Sequence, residues 1–277
     1  MNLDNTIKNL MLFVLLLSVG SIAYAQRAGK EAGTPPSKAE LAKAAQNPVA
    51  NLISVPFQTN INTGIGPDNE TQTVLNIQPV LPVSINKDWN LITRTVLPVI
   101  SQPAALTGDG RQNGLGDTTF TAFLSPSNSG RLIWGIGPTV LLPTASDDTL
   151  GSDKWGAGAS VVLLTMPGNW VIGSLFSNVW SVGGSGNQNV NLFTWQYFIN
   201  YNLPKGWYLT SAPIITANWE ADSSNTWTIP VGAGIGKIVK AGKLPINVQA
   251  SAYKNIETPE FGPDWQFRLQ AQLLFPK

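Results

Sequence analysis

The chain contains neither cysteine nor histidine. Without cysteine there is no disulfide staple and no thiol nucleophile, so an exported fold has to hold by backbone pairing and packing. Without histidine the Ser-His-Asp and Cys-His constellations are out of reach, although a carboxylate pair could still do acid–base work. Charge is sparse as well: 12% of the 277 residues are Asp, Glu, Lys or Arg, about half the share of a soluble domain. The 17 basic residues nearly cancel the 16 acidic ones, which offers no basic surface to nucleic acid. Long apolar runs are missing beyond residue 25, where none reaches the ~18 residues that a membrane helix needs. Low charge without long apolar runs has two readings. One is a membrane β-barrel, whose apolar residues occupy alternate positions; the other is a soluble β-sandwich with a large core.

What is present begins with an export signal. Lys8 precedes an apolar core over 10–19, and Ala23, Tyr24 and Ala25 supply small residues where a signal peptidase reads. Cleavage is expected after Ala25, giving a signal peptide over 1–25. Residues 26–50 read as a leader carrying a short helix over about 38–47: Ser37 and Glu40 have capping-box spacing and Pro48 stops the run. Apart from Leu41 and its alanines this helix has little apolar face. It is expected either as a plug in the mouth of a barrel or in the periplasm.

From residue 51 to 277 the period is two. In the last segment Trp265, Phe267, Leu269, Ala271, Leu273 and Phe275 share one face, and Gln266, Arg268, Gln270 and Gln272 share the other. One face apolar and one polar fits lipid outside and a wet lumen inside. About twelve such segments follow one another, near 51–64, 70–85, 88–102, 115–125, 131–143, 155–166, 169–182, 189–202, 206–219, 225–239, 243–256 and 263–275. Tight turns at 86–88, 127–130, 167–169, 204–206 and 240–242 alternate with looser connections, notably 103–114 and 144–154. The pattern predicts an all-β fold: an antiparallel transmembrane β-barrel of about 12 strands over 51–277, with a short N-terminal helix, short periplasmic turns and longer outer loops.

Tryptophan placement agrees. Trp89, Trp155, Trp170, Trp207, Trp219, Trp227 and Trp265 lie near predicted strand ends. Trp207 and Trp219 bracket one strand on the same face; twelve steps at ~3.3 Å, tilted ~45°, give roughly 28 Å, close to the ~25 Å band between aromatic girdles. Trp134 and Trp195 fall mid-strand in this reading. Pro79, Pro82, Pro98, Pro138, Pro213 and Pro230 resist it, because proline donates nothing to a ladder and a closed barrel has no free edge. They mark either bulges or strands shorter than drawn.

Several blocks carry a family resemblance: NPVANLISVPFQ (47–58), LNIQPVLPVSINKDWNLITRTVLPVISQP (75–103), GLGDT (114–118), LIWGIGPTVLLPTASDDTLGSDKWGAGAS (132–160) and LLFPK (273–277). Together they resemble a bacterial family of outer-membrane transporters, the phenol-degradation MetA-pathway family, whose relatives sometimes carry the label neuromedin U. The resemblance implies a barrel that passes small molecules, with hydrophobic or aromatic compounds as the expected cargo. It brings no catalytic or binding residues with it. Insertion by the barrel-assembly machinery is expected too, although Phe275 is followed by Pro276 and Lys277 where assembly signals usually end on an aromatic.

Chemistry finds little support. The Asp and Glu residues cluster in predicted loops, where solvated charge is the plain explanation, so no enzyme, catalytic residue, cofactor or metal is expected. Asp147, Asp148 and Asp153 do not follow the spacing of a calcium loop. Gly232, Gly234 and Gly236 before Lys237 lack the Ser/Thr and the helix of a phosphate loop, and read as small residues in a strand. Arg94, Asp117, Glu220 and Arg268 fall on the polar parity of their segments and are the lumen-facing candidates, since a mid-membrane charge facing lipid costs ~2–4 kcal/mol. Two roles are open for them: tuning solute passage, or bracing the interior as ion pairs. The reading is therefore a bacterial outer-membrane channel or transporter, in contact with outer-membrane lipid. The alternatives are a structural or surface-interaction barrel without transport, and a soluble periplasmic β-sandwich binding protein.

Overall fold

The computed structural model describes residues 36–108 and 110–276; the expected signal peptide over 1–25 lies outside them. The chain enters through helix α1 (Lys38–Ala45). Its capping box is complete: Ser37 Oγ accepts from Glu40 N at 3.2 Å and Ser37 N donates to Glu40 Oε2 at 2.7 Å. The helix stops at Gln46, just ahead of Asn47 and Pro48.

Fifteen strands follow: β1 (Ile53–Ile65), β2 (Glu70–Ile77), β3 (Val80–Ser84), β4 (Trp89–Gln102), β5 (Gln112–Leu115), β6 (Thr118–Pro126), β7 (Leu132–Leu142), β8 (Lys154–Thr165), β9 (Trp170–Gly184), β10 (Asn191–Asn202), β11 (Trp207–Ser211), β12 (Ile214–Asn218), β13 (Trp227–Ala241), β14 (Leu244–Glu257) and β15 (Trp265–Phe275). A one-turn helix, α2 (Ala104–Thr107), lies between β4 and β5. Three wall positions are shared by split strands, β2 with β3, β5 with β6 and β11 with β12, so the wall has twelve positions. Every pairing is antiparallel between neighbours, and β1 meets β15 from Ile53 opposite Phe275 to Thr63 opposite Trp265. The sheet is thus a closed barrel. That closure leaves no second sheet to pack against, and so rules out the sandwich.

The prolines that trouble a closed barrel all sit where the ladder lapses. Pro79 and Pro213 fall in the breaks of the split strands. Pro230 stands at a register shift against β14. Pro138 faces the stretch where β6 and β7 lose their pairing, between Thr121 opposite Thr139 and Leu124 opposite Ile136. Pro98 lies opposite the β5–β6 break, after Val96 opposite Thr119 and before Val99 opposite Leu115. Pro82 pairs with Ile92 of β4, while β1 meets β3 only at Val80. Each missing N–H therefore falls where no acceptor waits.

The outer face is apolar. Leu269, Phe267 and Leu209 are exposed on it, as are Ile136, Leu163 and Val231. Tryptophans gather near the two rims. At the short-turn end Trp89 meets Trp134 edge-on at 5.9 Å, Trp170 meets Tyr201 at 4.7 Å, and Lys237 Nζ lies 4.3 Å above the ring of Trp207. At the long-loop end Trp219 packs on Trp227 at 5.4 Å and Trp265 stacks on Phe267 at 6.2 Å. Trp134, expected mid-strand, is the third residue of β7 and belongs to the short-turn rim. An apolar band between aromatic rims is what a bilayer selects, and the chain is an outer-membrane β-barrel.

Candidate functional site

The lumen is built from inward residues of every wall strand, and its polar part is organised around the circumference. Tyr208 Oη donates to Asn247 Oδ1 at 2.8 Å, Asn247 Nδ2 to Gln272 Oε1 at 3.1 Å, and Gln272 Nε2 to Ser54 Oγ at 3.1 Å. That chain of bonds crosses from β11 through β14 and β15 to β1. Nearer the long-loop end, Gln266 Nε2 donates to Asn62 Oδ1 at 3.1 Å and Asn62 Nδ2 to Gln72 Oε1 at 2.7 Å; Gln72 in turn bonds Gln102. The hydroxyls of Thr121, Thr139 and Ser160 link β6, β7 and β8 in the same manner. Buried amides and hydroxyls that satisfy one another cost little to enclose and stiffen the wall.

Part of the lining contributed by β4, β6, β8, β9 and β10 is apolar. Ile92, Phe123, Val162, Leu164, Val171, Leu175 and Phe198 form one buried cluster. Alternation did not expose it, because 161–164 reads Val-Val-Leu-Leu and is apolar on both faces. A strand with two apolar faces inside an alternating barrel is the signal that points to it. Glycines accommodate the inward rings: a Cβ on Gly173 would meet Phe198 Cζ at 2.6 Å, and one on Gly236 would meet Tyr208 Cζ at 2.1 Å. Of the Gly232, Gly234 and Gly236 run, Gly236 is thus the seat of Tyr208, while Gly232 and Gly234 lie against β14; Lys237 turns to Trp207.

The short-turn end is filled from the N-terminal side. Leu41 and Ala42 of α1 are buried against Leu52, Ile238 and Leu274. Lys43 Nζ donates to Gly168 O at 2.6 Å in the β8–β9 turn, and the side-chain amides of Gln46 and Asn202 bond each other at 3.1 Å. Beyond the helix, Val49 enters the apolar cluster, steered by Asn47 Oδ1, which accepts from Val49 N at 2.9 Å. Of the two placements expected for the helix, the structure takes the plug. Between this plug and the amide network lies a cavity of about 140 Å³.

The four candidate charges part company. Arg94 and Arg268 both border this cavity. Arg94 is half-buried on β4, with Nη2 donating to Gln78 Oε1 at 2.6 Å. Arg268 is 2% exposed; Nε donates to Asn60 Oδ1 at 3.0 Å, Nη1 to Ala212 O at 2.8 Å and Nη2 to Gln266 Oε1 at 2.9 Å. Its guanidinium lies 5.0 Å from the ring centroid of Tyr253. Asp117 stands in the β5–β6 break and turns to the loop 143–153, accepting from Ala145 N at 3.2 Å and from Ser152 N and Oγ at 2.7 Å each. Glu220 is exposed in the turn after β12. Its parity continues that of the strand, but the pairing ends at Asn218, so parity no longer aims the side chain inward.

Asp147 is held within its own loop. Asp147 Oδ1 accepts from Thr149 N at 2.9 Å and Thr149 Oγ1 at 2.7 Å, and these bonds hold its carboxyl below the usual carboxylate range. Among the described residues no three Asp or Glu side chains converge as a metal site would require.

The model of the family described as "Putative MetA-pathway of phenol degradation" matches residues 53–269. An outer membrane channel from Pseudomonas putida F1 superposes with a TM-score of 0.61 at 18% identity, over 80% of this chain and 93% of that one. The CymD monoaromatic hydrocarbon channel gives 0.46 at 9% identity, over 87% and 91%. Outer membrane phospholipase A from Escherichia coli gives 0.45 at 12% identity, over 80% and 96%. No curated protein sequence matches the chain.

Proposed function

The chain belongs to that phenol-degradation family, and we propose that it is an outer-membrane channel for small molecules, hydrophobic or aromatic compounds among them. The observation that carries the reading is the mixed polar and apolar lining of the lumen cavity. A cavity whose lining mixes Gln58, Gln270 and Asn200 with Phe198, Val80 and Leu52 suits a solute that is neither fully hydrated nor fully apolar. Lumen pockets of this mixed kind orient a ligand with few polar groups while the apolar wall supplies contact area. The description of the family ties its members to phenol degradation, and a small aromatic cargo is carried here as part of the proposal. The protein acts without catalysis in this reading: it has no histidine or cysteine, and among the described residues no carboxylate borders the cavity. Export removes residues 1–25, and the barrel-assembly machinery inserts the remainder.

The plug favours a resting state that is closed or narrow, with α1 and Val49 as the parts that move. Single-channel recording in planar bilayers tests the proposal, together with uptake of radiolabelled phenol by cells that carry or lack the protein. Ion steps with protein-dependent phenol uptake are expected. A silent bilayer with equal uptake in both strains would leave a structural barrel as the better description.

A further inference from the structure

The cavity in the lumen has charge of one sign only. Arg94 and Arg268 border it, and among the described residues no acidic side chain does. The two arginines are held differently. Arg268 donates three times to neutral oxygens, lies against Tyr253 and is almost fully enclosed, so its bonds are committed to the wall. Arg94 is half-buried and, among the described residues, makes one hydrogen bond, to Gln78. The rest of its five N–H donors have no acceptor among those residues. Gln78 is itself buried and anchored: its backbone N donates to Pro56 O at 2.9 Å. Arg94 is therefore a positioned cation with open donors, in a site where water competes less than at a surface. The same cavity is lined by Phe198 and Leu52, and by Val80, which pairs with Arg94 across the β3–β4 hairpin.

We propose that this cavity binds solutes with an anionic head on an apolar body, a monoaromatic carboxylate being the simplest, and that Arg94 is the ligand of the carboxylate. The planar guanidinium matches a carboxylate with two parallel hydrogen bonds, while Phe198 and its neighbours take the ring. Arg268 adds positive potential and holds the wall. The rims continue the gradient along the axis. Lys43, Lys87, Arg131, Lys205 and Lys243 lie at the short-turn end, whereas Asp68, Asp147, Asp148, Glu220 and Glu260 lie in the long-end loops. An anion within the lumen is thus drawn toward the periplasmic side. The inference rests on the channel reading for the route of the solute, but its binding site is testable separately.

The test is equilibrium dialysis of radiolabelled benzoate against the full-length exported protein in nanodiscs, with benzyl alcohol as the uncharged competitor. Benzoate should bind saturably, and equimolar benzyl alcohol should displace little of it. Arg94→Gln should weaken binding at least tenfold, with Arg94→Lys between the two. A second variant guards against misfolding: Gln78→Glu places a carboxylate on the partner that Arg94 already holds, and should also weaken benzoate tenfold while keeping the heat-shifted gel band of a folded barrel. Binding that is unchanged in both variants, or displaced equally by benzyl alcohol, overturns the inference. Ion steps in bilayers without benzoate binding would sink this inference and leave the channel reading standing. Saturable benzoate binding with a silent bilayer would do the reverse.

Discussion

The ring of Tyr208 lies across Gly236 so closely that a Cβ there would meet its Cζ at 2.1 Å. The hydroxyl of the same ring donates to Asn247 at 2.8 Å, so the ring is held at both ends. Tyr208 is 1% exposed and has nowhere to go. Gly236→Ala should therefore overpack the lumen and destabilise the barrel by ~1–3 kcal/mol. The check is the urea midpoint of protein refolded into vesicles, with Tyr208→Phe as the partner variant. If the ring were free to swing, Gly236→Ala would leave the midpoint in place.

Leu269 and Gln270 are adjacent on β15 and face opposite media. Leu269 is 52% exposed on the outer face, and Gln270 borders the cavity. Leu269→Arg places a charge in lipid and should cost ~2–4 kcal/mol; Gln270→Arg should cost much less. Equal losses in a urea titration would mean that the outer face near Leu269 is not in contact with lipid.

Asp117 ties the loop 143–153 to the β5–β6 break through three accepted hydrogen bonds. Asp117→Ala leaves those donors without their acceptor, a loss of ~1–3 kcal/mol for groups that are partly buried. The loop should then be cut by proteinase K added outside intact vesicles, while the wild-type protein resists. Resistance in the variant would show that the remaining bonds of the loop suffice.

The capping box makes the plug sensitive to acid. The backbone hydrogen bond from Ser37, and then the side-chain bond to it, hold the Glu40 carboxyl below its ordinary value. A carboxyl depressed in the folded state adds stability above its unfolded value and loses it as pH falls through the folded one. The cap should therefore weaken as pH falls below the ordinary glutamate value, loosening α1 from the short-turn end. Because the chain has no cysteine, Ala39→Cys gives a unique site for a nitroxide, whose spectrum should sharpen in acid. The sharpening should vanish when Glu40→Gln is added. A spectrum that ignores pH would assign the docking to Leu41, Lys43 and Gln46 alone.

Much of the barrel was legible because its controlling signal is local. Alternation on β15 assigns Leu269 outward and Arg268 inward with no knowledge of neighbours. The six prolines were legible only as a difficulty. Each is resolved by a lapse in the adjacent strand, and register against a neighbour is not written in either strand alone. Arg94 and Glu220 shared one argument from parity and came apart, because parity aims a side chain only while the strand stays paired.

The wall was already dictated by the order of residues: twelve alternating segments separated by turn residues can hide their backbone groups in lipid only by closing on themselves. The N-terminal helix was dictated in the same way, through Ser37, Glu40 and Pro48. What fills the wall emerged only on closure. Asn60 and Arg268 bond across 208 residues of chain, and Val49 enters a cluster contributed by five strands. Those meetings depend on how the strands are staggered around the ring, a property of the closed sheet that no single segment encodes.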